Sequence, residues 1–318
     1  MSRLKKPLAA VLGTAALAAS AQAQAPAQKA EPLAQIDDVV VTGRRSGVPL
    51  WRVTGPATTL VLVGAIEGVS KSTKWDPAAL TEALRKADRV MFPTMHSVTA
   101  SPFSLIGWLA KYNAMGSLPK SQSLGQFADA GEMRRLEALK AAKMVRSDYS
   151  RRHPLHLARE LQDRAKGNLD YGNSVGTYVR KAVDKYKLTM VPIQRTRAKP
   201  IVKDLFASSP AEHLPCLSAS IAMAEAGPAA VQARSDAWAA RRVSDVLRSP
   251  AQGVYGRCWP AEALGSSDAE LADQFRQLLN EPKVTVAVVG LELLAAPGAV
   301  LDRLQAAGYD IQGPAWKD

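Results

Sequence analysis

At 318 residues, with 47% apolar and 22% charged side chains, the chain has the material for a substantial globular core and falls outside the disordered and fibrous classes. An aromatic content of 6% argues against a broad base- or sugar-stacking surface. The net charge of +12 points to anionic partners such as envelope polymers or membrane surfaces.

Taken in chain order, the first element is a targeting segment. Arg3, Lys5 and Lys6 precede an apolar run from Leu8 to Ala18, and Ala21-Gln22-Ala23 follows as an A-x-A cleavage site. The run is shorter than the ~20 apolar residues of a membrane anchor, and no cysteine follows it, so a secretory signal peptide over residues 1–23 is expected. The expected location is periplasmic in a cell with two membranes, and export removes nucleic acid from the classes of partner. No later stretch is expected to cross a membrane. Loss of residues 1–23 brings the net charge to +9.

Residues 24–47 read as a disordered tether, Ala-, Pro- and Gln-rich at its start. Within it, Ile36-Asp37-Asp38-Val39-Val40-Val41-Thr42-Gly43-Arg44-Arg45 resembles the energy-coupling box of TonB-dependent receptors. The chain has no train of alternating strands that would make such a receptor. An added sheet-edge strand or a plain linker is the favoured reading of this segment.

From about residue 48 a single folded domain is expected. Trp51-Arg52-Val53 and Thr59 to Val63 read as a hairpin turned by Gly55-Pro56. Asp76-Pro77 opens a helix with Leu80, Ala83, Leu84 and Ala87 at helical spacing, and Val90-Met91-Phe92 is a strand stopped by Pro93. Ser101-Pro102 opens a helix carrying Phe103, Ile106, Leu109 and Ala110, closed by Gly116. Helical periodicity continues over 130–145, 154–166 and 174–186, then Thr189 to Ile193 reads as a strand. Ser209-Pro210 starts another helix, Ala229 to Leu247 is amphipathic with Trp238 inward, and residues 269–279 are helical. Val284 to Val289 is a β-rich run closed by Gly290. Pro297 to Ala307 with Gly308 reads as the last helix, and Tyr309-Asp310-Ile311 as the last strand. The expected class is α/β: a central mixed sheet flanked by helices, with a long helical middle segment.

Two strands stand out because each ends on a glycine, Thr59 to Gly64 and Val284 to Gly290. They are expected side by side, since function in α/β sheets gathers at strand ends. Glu67 is the third residue after the first glycine, and Leu293 the third after the second.

The plan resembles the TraB/GumN family (TraB/PrgY/GumN), relatives of the Tiki-type metalloproteases. Trp51-Arg52-Val53, Leu60 to Gly64, Trp75, Leu80 and Ala87-Asp88-Arg89-Val90 carry the N-terminal resemblance. Leu294 to Leu301, Leu304 and Gly308-Tyr309 carry the C-terminal one, and the middle matches as generic helices. The resemblance implies a centre built from two G-x-x-H histidines and a strand-end glutamate. In this chain those positions fall at Glu67, Leu293 and about Pro93, so the chain looks like a degenerate member lacking both histidines. Leucine and proline offer no metal ligand, and one carboxylate cannot build the three-ligand site of metal-assisted hydrolysis.

Other residues could stand in for the missing ligands. His153 and His156 stand at i, i+3, but Pro154 leaves His153 at the helix cap, and surface histidines are the favoured reading. His96 follows the third strand and is a weak catalytic candidate, as is Glu292, for which an outward orientation is expected from the alternation Leu291, Glu292, Leu293. His213 completes the histidines. There is no G-x-S-x-G elbow and no phosphate-binding loop. Arg146, Arg151, Arg152, Arg159, Arg164 and Lys166 read as a solvated basic face. Cys216 and Cys258 are an even count in an oxidising compartment, so one disulfide is expected, with two free thiols as the alternative.

The expected function is therefore a secreted, catalytically inactive family member that binds a protein or an anionic envelope component, with no cofactor. The alternatives are a divergent hydrolase using Glu67, which would need a divalent metal, and a TonB-linked accessory protein.

Overall fold

A computed structural model describes residues 46–92, 96–99, 101–172, 174–191, 194–259 and 267–317. The stretch 1–23 expected to be a signal peptide, the box-like stretch 36–45 and Pro93 lie outside the described residues.

The hairpin forms as its apolar alternation dictates. β1 (Leu50–Thr54) pairs antiparallel with β2 (Thr59–Ala65), Leu50 opposite Val63 and Thr54 opposite Thr59. α1 (Ala78–Arg85) buries Leu80, Ala83 and Leu84, and the Asp76 carboxylate accepts the Ala78 N–H at 2.8 Å. β3 (Arg89–Met91) is followed by β4 (His96–Thr99) and then α2 (Pro102–Ala114), whose first turn is capped by the Ser101 hydroxyl.

The helical middle comprises α3 (Ala130–Ala141), α4 (Pro154–Lys166) and α5 (Val175–Tyr186), capped by Asp129, His153 and Ser174. β5 (Thr189–Met190) takes up the start of the strand expected over 189–193, β6 (Gln194–Arg197) is a further strand in a different sheet, and α6 (Ala198–Ala207) continues directly from β6.

α7 (Leu214–Ala239) is made of two helical halves, as the sequence leads one to expect, meeting at a break at Gly227. Gly227, at φ 69°, takes the left-handed conformation that glycine adopts without a steric penalty, and Pro228 cannot donate its N–H, so the helix kinks there. The amphipathic helix expected to reach Leu247 instead stops at Ala239, and α8 (Val243–Arg248) starts afresh beyond Arg241, whose φ is 60°. Contrary to the sequence expectation, the helical stretch Pro210–Ala239 is long and apolar enough to span a membrane by length and composition. It packs along α4 as an interior helix, with Cys216, Leu217, Ile221, Met223 and Trp238 buried.

α9 (Asp268–Leu279) begins at a capping box formed by Ser267 and Glu270. β7 (Thr285–Gly290) leads without a break into α10 (Leu291–Ala295), then α11 (Val300–Ala306) and β8 (Asp310–Gln312). Where the sequence suggests one closing helix from Pro297, the first helical turns begin six residues earlier and are separated from α11 by residues 296–299, with Ala296 and Ala299 extended.

The main sheet has six strands in the order β5-β3-β7-β2-β1-β8. β5, β3, β7 and β2 run parallel, while β1 is antiparallel to both β2 and β8. The fold is α/β with a mixed sheet. β4 and β6 form a separate parallel pair. One apolar core lies on the sheet, around Trp51, Leu62, Leu80, Trp238, Phe275 and Val289; a second lies between the helices, around Leu136, Leu157, Leu161 and Leu217.

Candidate functional site

The two glycine-terminated strands lie side by side. β2 and β7 pair in parallel with Gly64 opposite Val289 and Ala65 opposite Gly290, so their C-terminal ends open on the same edge. Gly64 is a glycine because of close approach: a Cβ there would stand 2.6 Å from Leu291 Cδ1 and 3.1 Å from the Trp51 ring. Its N–H donates to the Pro49 carbonyl at 2.9 Å, and its own carbonyl accepts the Trp238 indole N–H at 2.8 Å.

The loop after β2 is wired to α7. Arg234 is 2% exposed, and its guanidinium donates to the carbonyls of Glu67 (2.6 Å), Gly68 (3.0 Å) and Ala251 (2.6 Å). One turn on, the Ser235 hydroxyl accepts the Ser70 N–H at 3.2 Å, and Thr73 donates to the Asp236 carboxylate at 2.8 Å. Trp238, Ser235, Arg234 and Val231 are all buried, so one face of the helix reads the loop backbone. From the other side, Gly172 N–H reaches the Val69 carbonyl at 2.9 Å, and Lys71 N–H the Asp170 carbonyl at 2.8 Å. Ser70 and Ser72 share a hydrogen bond of 2.8 Å and belong to this loop network.

Glu67 projects from the loop with its residue surface exposed. Loss of water around the carboxyl raises its pKa above the ordinary value, and the neighbouring Arg234 charge pulls the other way. Burial lowers the pKa of Arg234, opposed by Tyr171, Tyr255 and Glu67. Tyr255 is raised, first by its burial and then by Tyr171 beside it.

Leu293 lies on α10 and packs against the sheet core. Glu292 is on the same helix, not on a strand, so strand alternation was the wrong reason for the right direction: its side chain is 49% exposed and stands 3.9 Å from Arg257. The carboxylate fills the space that a Cβ on Gly253 would need. His96 is in β4, opposite Gln194 of β6, so its backbone belongs to the second sheet and not to the β2–β7 edge.

The remaining histidines are not surface residues, contrary to expectation. His153 and His213 are each 6% exposed, their rings edge to face at 5.2 Å. His153 Nδ1 accepts the Leu155 N–H at 3.3 Å as the helix cap, while His156 stacks on Tyr112 at 4.0 Å with its Nε2 2.7 Å from the Tyr112 carbonyl. The two imidazoles diverge, as the cap position predicts. Among the described residues no group of three His, Cys, Asp or Glu side chains is placed to hold a metal ion. Among the described residues the donor set at the β2–β7 edge is one carboxylate beside a leucine, which does not fit a metal centre.

Of the basic residues, Arg146 and Arg159 are exposed and paired, with Asp148 and Asp163 at 3.3 Å each, whereas Arg152 is turned inward, 25% exposed and 4.0 Å from Glu160, which departs from a wholly solvated face. Cys216 and Cys258 are at disulfide distance, joining α7 to the turn that precedes Trp259. A recess of about 440 Å³ near the start of α8 is lined by Arg241, Arg242, Asp245 and Pro314, away from Glu67 and Glu292.

Sequence reasoning missed Arg234. Its only signal was position, four residues before Trp238 on the inward face of a helix, where an arginine is out of place unless it has buried acceptors.

The model of the TraB/PrgY/gumN family matches residues 49–313. The chain belongs to this family. No curated protein and no solved structure matches it. The family match runs from the start of β1 to just past β8, so the β2 and β7 edge described above is the edge of the TraB/PrgY/gumN domain itself.

Proposed function

We propose that this protein is an exported TraB/PrgY/gumN family member in which the strand-end centre has become architecture, and that it acts by binding a protein partner or an envelope component. The observation that carries the reading is the pair of third residues after the strand-end glycines: an exposed Glu67 and a core-packed Leu293. A catalytic loop must present its donors and exchange ligands. Here the loop's backbone carbonyls are held by a buried arginine, which suits a fixed surface better than a turnover site.

Periplasmic location follows from the signal-like N-terminus, and the positive charge favours an anionic partner. The deciding experiment is metal analysis of the purified protein, paired with assays on peptide and ester substrates. Metal below stoichiometry and no Glu67-dependent hydrolysis are the expected results. Stoichiometric zinc or manganese that disappears in Glu67→Ala would overturn the reading.

The hydrolase alternative has one observation in its favour: loss of water around the carboxyl raises the pKa of Glu67, the direction of shift that a general acid needs. The TonB-linked alternative rests on residues 36–45; a pull-down of TonB that survives deletion of that stretch, or never occurs, would end it.

A further inference from the structure

The second sheet carries two helices of its own. β4 runs into α2, β6 runs into α6, and the two strands pair in parallel with His96 opposite Gln194 and Thr99 opposite Arg197. The C-terminal end of α2 is anchored on α4 through the Tyr112–His156 stack.

The rest of α2 is apolar and uncovered. Phe103 is 86% exposed, Leu105 54%, Ile106 69% and Leu109 61%. Of the large apolar side chains left exposed among the described residues, most sit on this one helix. At about 100° per residue these four cover roughly 160° of its circumference, wider than the stripe a helix needs to face a core. A Cβ on Gly107 would meet open space.

The surrounding charge is one-sided. No Asp or Glu occurs between Asp88 and Asp129, or between Asp184 and Asp204. In the four elements β4, α2, β6 and α6 the charged residues are Lys111, Arg195, Arg197, Lys199 and Lys203 against Asp204 alone. Lys111, Lys199 and Lys203 are exposed.

We propose that α2, with Lys111 at its end and Lys199 and Lys203 on the neighbouring α6, is a docking surface for an anionic phospholipid bilayer. Its 13 residues make a helix of about 20 Å, too short to cross a bilayer and suited to lying in the interface with its apolar side among the acyl chains. Lys111, Lys199 and Lys203 then meet the lipid phosphates. A second copy seated on the same face would set basic residues against basic residues, which disfavours self-association there. The proposal narrows the binding half of the function proposed above. It rests on that reading for its setting only, because neither Glu67 nor metal enters it.

The test uses the chain from Gln24 onward, which keeps every described residue, in co-sedimentation with vesicles of phosphatidylcholine alone or mixed with phosphatidylglycerol. The protein is expected to pellet with the mixed vesicles, to bind them less as salt rises, and to bind pure phosphatidylcholine weakly. Phe103→Ser with Ile106→Ser, and separately Lys199→Glu with Lys203→Glu, are each expected to weaken binding about tenfold or more while leaving the unfolding midpoint in place, since the replaced side chains are exposed. Failure of the parent protein to bind, or equal binding by both double variants, overturns the proposal. So does self-association of the parent, seen by sedimentation velocity and abolished by Phe103→Ser with Ile106→Ser, since a second copy would then cover the face. None of these outcomes bears on metal content or hydrolysis, which test the strand-end reading separately.

Discussion

Arg234 holds three backbone carbonyls from two separate loops with one planar group, and no other side chain has donors in that geometry. Replacing it with methionine leaves buried carbonyls without donors, and a loss of about 2–5 kcal/mol in urea unfolding is expected. Arg234→Lys should recover only part, because an ammonium cannot span the Ala251 and Glu67 carbonyls together. A change near zero for both would show that the loop is held by something else. Gly64 makes a second prediction: Gly64→Ala should cost about 1–3 kcal/mol by overpacking against Leu291. Leu291→Ala in the same chain should return part of that loss if the clash is the cause. Glu67 supplies the sign of a third. Its pKa is raised in the fold, so its contribution to stability is present in acid and fades as pH rises through the folded pKa. Glu67→Gln is therefore expected to stabilise the protein at neutral pH and to match the parent in acid; the opposite trend would mean that the carboxylate has a buried cationic partner.

At the scale of elements, the Cys216–Cys258 pair ties α7 to the turn beyond α8, closing a 42-residue loop. A disulfide there is worth about 2–4 kcal/mol. Reductant should lower the thermal midpoint of the parent but not that of Cys216→Ala with Cys258→Ala; an unchanged parent would show that the thiols are unpaired in solution. The elements also show where pattern reading works and where it stops. α4 and α5 form within a residue of the periodic stretches 154–166 and 174–186, because capping residues and Pro154 mark their starts locally. The boundary inside α7 was legible as well: Gly227, at φ 69° and ψ -171°, and Pro228 interrupt the helical backbone where the sequence separates two helices, and both halves continue along one line of packing. α2 was legible as a helix carrying Phe103, Ile106 and Leu109, but which way those side chains face was not. Periodicity records that a face is apolar and says nothing about what lies against it.

Across the whole molecule, the three described buried or half-buried histidines act in one direction with pH. Burial lowers His153 to about 4, and lowers His156 and His213 as well. In the unfolded chain they take up protons near 6.5, while in the fold they resist, so stability is intact above 6.5 and falls as pH drops toward 4. His153 alone accounts for a loss of up to roughly 3 kcal/mol across that window. Unfolding free energy measured along a pH series should decline there, and His213→Gln, which removes one buried imidazole, should reduce the slope. A flat profile would mean that the rings gain water or acid partners when protonated.

The chain alone determined the class, the order of most elements, and the identity of the residues at the two strand ends. Those depend on local alternation, caps and glycines, which act over a few residues. That β2 and β7 are neighbours was also foreseeable, because parallel strands flanking a helical crossover expose their ends together. Only the tertiary structure decided the rest. It placed Arg234 under the β2 loop, moved His96 into a second sheet, buried His153 and His213, and left α2 bare. Each of these is settled by contacts between residues far apart in sequence, as Arg234 and Glu67 are, and such contacts leave no periodic trace in the chain.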